Sequence, residues 1–395
     1  MGFDTGAISF SRFNVVGESP RLPDEATLDK FAALALREDE LSTAEIDYGW
    51  CAGRHVFDGE FTVGNCVYND CVHVGLRVDT NKIPSELKKA YIALEESATA
   101  AINPSGFASR KQKREAKETA GRKIDEDLAS GKFRRSKVTN VLWDLPAGVV
   151  YAAVSMSQRE QLMELFERSH NLALEPITSG NLALSRMEHA GRRREYEDLT
   201  PTRFATMPGD PPAEYPWTAK GDQAKDFIGN EFLMWLWHEA GSKGGEIKLG
   251  DHAATVMFSK SLELDCAYGQ SGKTALKYET PTEMVEAMDA LRSGKVPRKT
   301  GLTVALHGQL YTMNLGAEQL TLGGLKLPEV EKADSPRVLF EERITLLRDF
   351  MKGFDQLFDA FLKQRASDGW KSNVDQIRRW MRGKVAVSQS VAAVA

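Results

Sequence analysis

Between Ser109 and Lys137 (SRKQKREAKETAGRKIDEDLASGKFRRSK) eleven Lys or Arg residues stand against five Asp or Glu, in a chain of net charge -5. An excess of six positive charges on one segment of an acidic protein suits a polyanion, because each phosphate neutralised releases condensed counterions. The residues expected to contact phosphate are Lys111, Lys113, Arg114, Lys117, Arg122, Lys123, Arg134, Arg135 and Lys137. The same composition also suits a solvated or oligomerising helix. Lys111–Glu115 and Arg114–Glu118 are i,i+4 pairs that would support such a helix without any ligand.

Other chemistries find less support in the residues. Cys51, His55, Cys66, Cys71 and His73 cluster in sequence but lack the tight C-x2-C spacing of zinc knuckles, so buried thiols are expected and no metal. Ala267–Thr274 (AYGQSGKT) fits a relaxed phosphate-loop pattern, in which Lys273 would neutralise phosphate and Thr274 would hold magnesium. That loop needs a helix directly after it, whereas TALKYETP alternates like a strand and stops at Pro281, so the tip of a β-hairpin is expected. There is no G-x-S-x-G elbow and no H-E-x-x-H, and His238 and His307 have no evident nucleophile partner. No enzyme and no cofactor is expected.

The elements that must position the basic segment follow from periodicity. Ile8–Val16, Ile46–Trp50, Phe61–Val63 and Cys71–Val78 read as strands, the last with the alternation of a half-buried one. Asp24–Glu38 reads as a helix, and Pro84 can start another with Leu87, Ala90, Tyr91 and Leu94 on one face. Gly106, Gly121 and Gly131 are expected breaks in the arm that follows. Val141–Trp143 and Val149–Val154 return to strand, and Ser157–Asn171 to helix. The order implies an α+β fold of mixed sheets with a projecting helical arm.

Further on, Met187–Lys220 is rich in Pro and Arg without sustained period and reads as a linker or extended loop. Asp226–His238 is a strongly apolar core helix. Strands Ala254–Phe258, Leu262–Ala267 and Thr274–Tyr278 lead to a helix at Thr282–Ser293. A meander from Leu302 to Leu322 precedes the long helix Phe340–Arg365. Trp370–Arg382 reads as a basic amphipathic helix, followed by a tail of small residues expected to be disordered. The division expected is 1–84 with 138–186 as a central α+β domain and 85–137 as the arm. Residues 187–225 would be the linker, 226–365 a C-terminal α+β domain, and 366–395 the basic helix and tail. Apolar content of 42% without a membrane-length run, and an N-terminus unlike a signal peptide, suggest a cytoplasmic protein with no membrane partner.

The succession of segments resembles the bacterial recombination-associated protein RdgC family. The resemblance runs through Asp47-Tyr48-Gly49-Trp50, CVHVGLRVDTNKIPSELKKAYIALEE from Cys71, and Lys132–Asp144 (KFRRSKVTNVLWD). It continues in Met284–Val296 (MVEAMDALRSGKV) and Leu302–Phe340, covering more than half of the chain in the right order. The specificity lies in that order, since no single motif is diagnostic. The chain is longer than the usual member, mostly at Met187–Lys220 and after Gln364. It keeps only Lys277 as a basic contact in Leu276–Thr280, and has Arg134-Arg135-Ser136-Lys137 where the family mixes Phe and Arg.

The resemblance implies a nucleoid-associated protein that binds double-stranded DNA with little sequence preference. It implies a homodimer closed into a ring, which restrains RecA-type recombinases by competing for the duplex. The alternatives from the residues themselves are an oligomerisation scaffold that binds no DNA and a nucleotide hydrolase using Lys273 and Thr274.

Overall fold

A computed structural model describes residues 2–37, 44–208, 212–218, 224–330 and 333–383. The expected tail beyond Gly383 lies outside the described residues, as do parts of the stretch 187–225. The chain separates into two compact units. One comprises Gly17–Ala147 with Val154–Ala173, and the other the segments up to Val16, Gly148–Ala153 and from Leu174 on.

Strand β1 (Ile8–Val16) belongs to the larger unit. The smaller unit then begins with helix α1 (Glu25–Ala33), whose N-cap Asp24 accepts from the Thr27 N–H at 2.8 Å. Strand β2 (Ile46–Cys51), the short α2 (Val63–Cys66), β3 (Val67–Tyr68) and β4 (Cys71–Asn81) follow. Helices α3 (Ser85–Ala101) and α4 (Arg110–Ala129) form the arm, and β5 (Arg134–Asp144) returns from it. The sheet order is β2-β4-β5 with β3 on β4, and these ladders are antiparallel. Strand β6 (Val149–Ala152) pairs with β1 in the larger unit, and α5 (Met156–His170) completes the smaller one.

The core of the smaller unit is aromatic. Phe31 meets Trp50 edge-on at 4.9 Å and His170 at 4.3 Å, and Trp143 meets Phe166 at 5.1 Å. The half-buried strand expected at Cys71–Val78 is instead buried on both faces from Cys71 to Asp79. Its polar members are paired internally: His73 Nε2 lies 3.0 Å from Asn140 Oδ1, and Arg77 forks onto Asp79. Gly75 is required by this crowding, since a Cβ there would stand 2.6 Å from both Cys51 Sγ and Val138 Cγ1. No strand forms at Phe61–Val63, where α2 begins. Gly131, at φ +73°, follows the C-cap of α4, and Gly106, at φ +69°, lies in the turn between α3 and α4, so both fall at breaks as expected. Gly121 does not; α4 runs through it because Ala116, Ala120 and Ile124 on either side bury one face.

The larger unit continues with β7 (Ala173–Pro176), α6 (Ser179–His189), α7 (Arg193–Glu197) and α8 (Phe227–Lys243). Next come β8 (Glu246–Leu249), β9 (His252–Cys266), β10 (Thr274–Tyr278), α9 (Val285–Arg292), β11 (Lys295–Leu306), β12 (Gln309–Gly316) and β13 (Thr321–Lys326). Helices α10 (Pro336–Arg365) and α11 (Trp370–Arg382) complete it. Its sheet runs β10-β9-β11-β12-β13-β1-β6, antiparallel in each of these steps, where the sequence suggested mixed sheets. Short hairpin connections force that direction between β9 and β10, β11 and β12, and β12 and β13. Phe232 and Trp235 of α8 pack on Phe358 and Phe361 of α10.

The described residues of the stretch 187–225 belong to the larger unit and are not an interdomain linker. They contain the end of α6 and α7, and bury Tyr196, Leu199, Phe204 and Tyr215 in the larger unit. The Tyr215 hydroxyl donates to Thr202 O at 2.8 Å, and the Arg203 guanidinium lies 5.0 Å from the Tyr215 ring. Irregularly spaced aromatic anchors hold a segment that has no period to read. The basic helix α11 docks on its own unit through Trp370, Val374, Ile377 and Met381. No helix among the described residues is long and apolar enough to cross a membrane.

Candidate nucleic-acid interface

Helix α4 starts at a capping box. Ser109 Oγ accepts from the Gln112 N–H at 3.3 Å, and Gln112 Oε1 accepts from the Ser109 N–H at 2.9 Å. Its first turn carries no acid. Arg110, Lys111 and Lys113 therefore sit at the end where the helix dipole disfavours positive charge, by about 0.3–1 kcal/mol for each such residue at low salt. Helix stability does not explain that placement. The cap and the buried Ala116, Ala120 and Ile124 hold the helix in spite of it.

The basic residues sort into three groups. Arg110, Lys113, Arg114 and Lys117 are exposed and spaced i, i+3, i+4, i+7, which puts them on one face of the first half of α4. Lys113 and Lys117 have no ion pair among the described residues, and Arg114 touches Glu118 only at 3.4 Å with most of its side chain in solvent. Lys111 makes the other expected pair, to Glu115 at 3.8 Å. Exposed pairs of this kind contribute little and yield readily to a phosphate.

The second group is exposed but off that face. Arg122 donates to Thr119 Oγ1 at 3.3 Å. Arg135 and Lys137 lie two residues apart on β5, on one face of the strand, and Lys137 Nζ reaches Gln158 Oε1 at 3.3 Å.

In the third group the charge is already matched inside the fold. Lys123 bonds Glu95 of α3, which pushes its pKa up. Arg134 is only 15% exposed and bonds Asp79 Oδ2 at 3.0 Å. Burial works to raise the Asp79 pKa, but hydrogen bonds from Arg77 and Ser136 and the charges of Arg77 and Arg134 hold it below the usual carboxylate range. Arg134 thus completes a buried charge network at the foot of the arm.

Lys277 is exposed on β10 opposite Ser261 and belongs to the larger unit, whereas the arm residues belong to the smaller one. Two residues escaped sequence reasoning. Arg110 belongs to the α4 face, and its i,i+3 spacing to Lys113 was the available signal. Lys260 is exposed at φ +67° in a bulged stretch of β9, a left-handed position that L side chains rarely adopt. Its sequence context carries no sign of that.

The other constellations resolve differently. Burial pushes the Cys51 thiol up to about 11 and the Cys66 thiol to about 12, away from the thiolate a metal would need. Among the described residues no group of three or more His, Cys, Asp or Glu is placed to hold a metal ion.

The turn at Ala267–Lys273 joins β9 to β10 as a hairpin, and no helix follows Thr274 directly. Burial tends to raise the Cys266 pKa. Bonds from Ser271 Oγ and from the N–H groups of Tyr268, Ser271 and Gln270 outweigh it and hold the thiol below its usual value. Thr274 Oγ1 accepts from Lys295 Nζ at 2.6 Å.

Compared with known proteins, the chain matches no family model and no curated protein.

Proposed function

We propose that this protein binds double-stranded DNA without sequence preference and acts as a homodimer that limits RecA-type recombinases by occupying the duplex. The observation that carries the reading is the α4 face of Arg110, Lys113, Arg114 and Lys117. These are exposed cations on one face, with Arg110 and Lys113 at the helix end least suited to them, on a protein of net charge -5. The face is about 10 Å long at 1.5 Å per residue, enough to follow roughly three phosphates along one strand. Contacts to phosphates position a protein without reading bases, and occlusion needs no proton transfer. The resemblance to the RdgC family supports the same reading and supplies its expectation of a ring.

Fluorescence anisotropy on a labelled random-sequence duplex, across a salt series, tests it. Affinity should fall linearly in log–log form. The combined variant Lys113→Gln, Arg114→Gln and Lys117→Gln should flatten the slope by about 2–3, close to one unit per lost phosphate contact. All three side chains are exposed, so the fold should survive. An unchanged slope would remove α4 as the contact surface.

One observation favours assembly as a second reading. Helix α3 has no buried residue, and Leu94, Ile102 and Phe107 on the arm are 69%, 83% and 80% exposed. If the arm serves only to join copies, Ile102→Asp with Phe107→Asp should halve the mass measured by light scattering, and the native protein should show no salt-dependent duplex binding. Retained mass in that variant would rule out the arm tip as the contact.

A further inference from the structure

In the larger unit one edge of β9 is covered at both ends and open between them. Along its other side β9 pairs with β11, from Cys266 to Ala254. Along the open side β8 covers His252–Thr255 and β10 covers Lys260–Leu264. Each cover extends by one bond: the Val256 N–H donates to Gly245 O at 2.9 Å, and the Lys260 N–H to Glu279 O at 3.2 Å. Alternate residues of an antiparallel strand bond to opposite sides, so Phe258 turns its N–H and C=O toward the same edge as Val256. There they meet no backbone partner among the described residues. The Val256 C=O is left as well, because the Gly245 N–H opposite it is taken by Glu239 O at 3.1 Å.

A cavity of about 490 Å³ lies at this gap. Trp237, Phe258, Met288 and Trp380 give it an apolar lining, and Glu283 is the one charged residue among the described residues that line it. Trp237 is 1% exposed, and its Nε1–H meets no acceptor among the described residues. Unlike the indole nitrogen of Trp143, that atom is not sealed off; it is reached from the cavity that Trp237 lines. An indole donor left without an acceptor in such surroundings is costly.

The free strand edge decides between ligand classes. Its N–H and C=O groups are matched by an extended peptide backbone, which repeats both groups at strand spacing, and the apolar walls take side chains of that peptide. The chain itself supplies a candidate. Gly383, the last described residue, lines the cavity, and its backbone is already extended at φ −62° and ψ 155°. Arg292 fixes that exit, with Nε donating to Met381 O at 2.8 Å and Nη2 to Gly383 O at 3.2 Å.

The segment that follows Gly383 is KVAVSQSVAAVA. Its only charge, Lys384, is opposite in sign to Glu283. Val385 and Val387 are β-branched residues that would share one face of a strand. We propose that the cavity is filled by the chain's own segment Lys384–Val387, added as a short strand at the free edge of β9. A backbone carbonyl of that segment accepts from Trp237, and Lys384 lies by Glu283. The site belongs to the larger unit and the α4 face to the smaller, so the inference does not rest on the duplex reading.

The test compares the native full-length chain with a full-length variant, Val385→Asp and Val387→Asp, whose tail is too polar for an apolar cavity. Both positions lie beyond the described elements, so the variant leaves the packing of the larger unit intact. In spectra of ¹⁵N-tryptophan-labelled protein the Trp237 indole N–H, assigned with Trp237→Phe, should shift in the variant and exchange about tenfold or more faster. A labelled peptide of the sequence Lys384–Val391 should bind the variant. It should bind the native chain about tenfold or more weakly, because the tethered copy competes at an effective concentration on the order of millimolar.

An indole signal unchanged between the two chains would overturn the proposal. So would a peptide that binds both chains equally, or neither. A mass that halves in the variant by light scattering would also overturn it, by placing the tail of a second copy in the cavity.

Discussion

Arg365→Ala should destabilise the larger unit by about 3–5 kcal/mol, the range for removing one partner of a buried ion pair. Glu231 on α8 is fully buried, and both of its oxygens are occupied. Oε1 accepts from the Thr202 N–H at 2.6 Å, and Oε2 takes the Arg365 Nε–H. Arg365 also donates through Nη2 to Thr200 O at 2.7 Å, and its guanidinium lies 5.2 Å from the Trp370 ring. Removing the guanidinium leaves a carboxylate in apolar surroundings with one hydrogen bond and no counter-charge.

The pair itself need not add net stability, since the desolvation of two ions offsets much of their attraction. The double variant Arg365→Met with Glu231→Leu should therefore be more stable than Arg365→Ala alone, which would be visible as a recovered urea midpoint. A double variant as unstable as the single one would mean that packing, and not the stranded charge, sets the loss. Arg365→Lys should fall between, because a lysine keeps the charge but cannot fork to Glu231 and Thr200 together.

That pair also shows why the stretch 187–225 was misread. It binds α8, α10, the extended segment around Thr200–Thr202 and Trp370 of α11 into one body, through residues 134 positions apart in the chain. Local pattern carries no trace of such a partner, and Glu231 in DFIGNEFLMWLWH reads simply as a polar interruption of a core helix. Elements with strong period were legible: α10, α5 and the arm fall close to where their apolar spacing put them. The β9–β10 hairpin was legible because TALKYETP cannot continue as a helix. Strand β4 was not. Polar residues that alternate with apolar ones imply a wet face only when nothing covers it, and here Asp79, Asn140 and Arg134 meet the polar side chains within the fold.

The arm was legible as a charged segment but not as a surface. Composition counts Lys123 and Arg134 like any other cation, whereas Glu95 and Asp79 have already matched them. Helical spacing does separate Arg110, Lys113, Arg114 and Lys117 from the rest, once the start of α4 at Ser109 is known.

Mild acid should selectively weaken the smaller unit, with His170 as the cause. Its ring is packed among Phe31, Trp143 and Phe166, and its Nε2 is buried without a hydrogen-bond partner. Burial first, and the nearby Lys30 charge second, push its pKa down from 6.5 to about 4. Its place at the end of α5 would favour the charged form through the helix dipole, but that effect is smaller than the cost of burying a cation among aromatic rings.

Between those two values the unfolded chain binds a proton that the folded one does not, so stability is lost as pH falls. From pH 7 to pH 5 the loss should be about 2 kcal/mol, growing to about 3 kcal/mol near pH 4. Carboxylates titrate over part of the same range, and a variant separates the two. His170→Leu keeps an apolar side chain in the site and should flatten the pH dependence of the urea-unfolding free energy by that amount, with little change at pH 7. A parallel fall in both proteins would place the sensitivity elsewhere. Because the same core supports β5, and α5 supplies the Gln158 that meets Lys137, the duplex binding proposed for the arm should fail together with this transition.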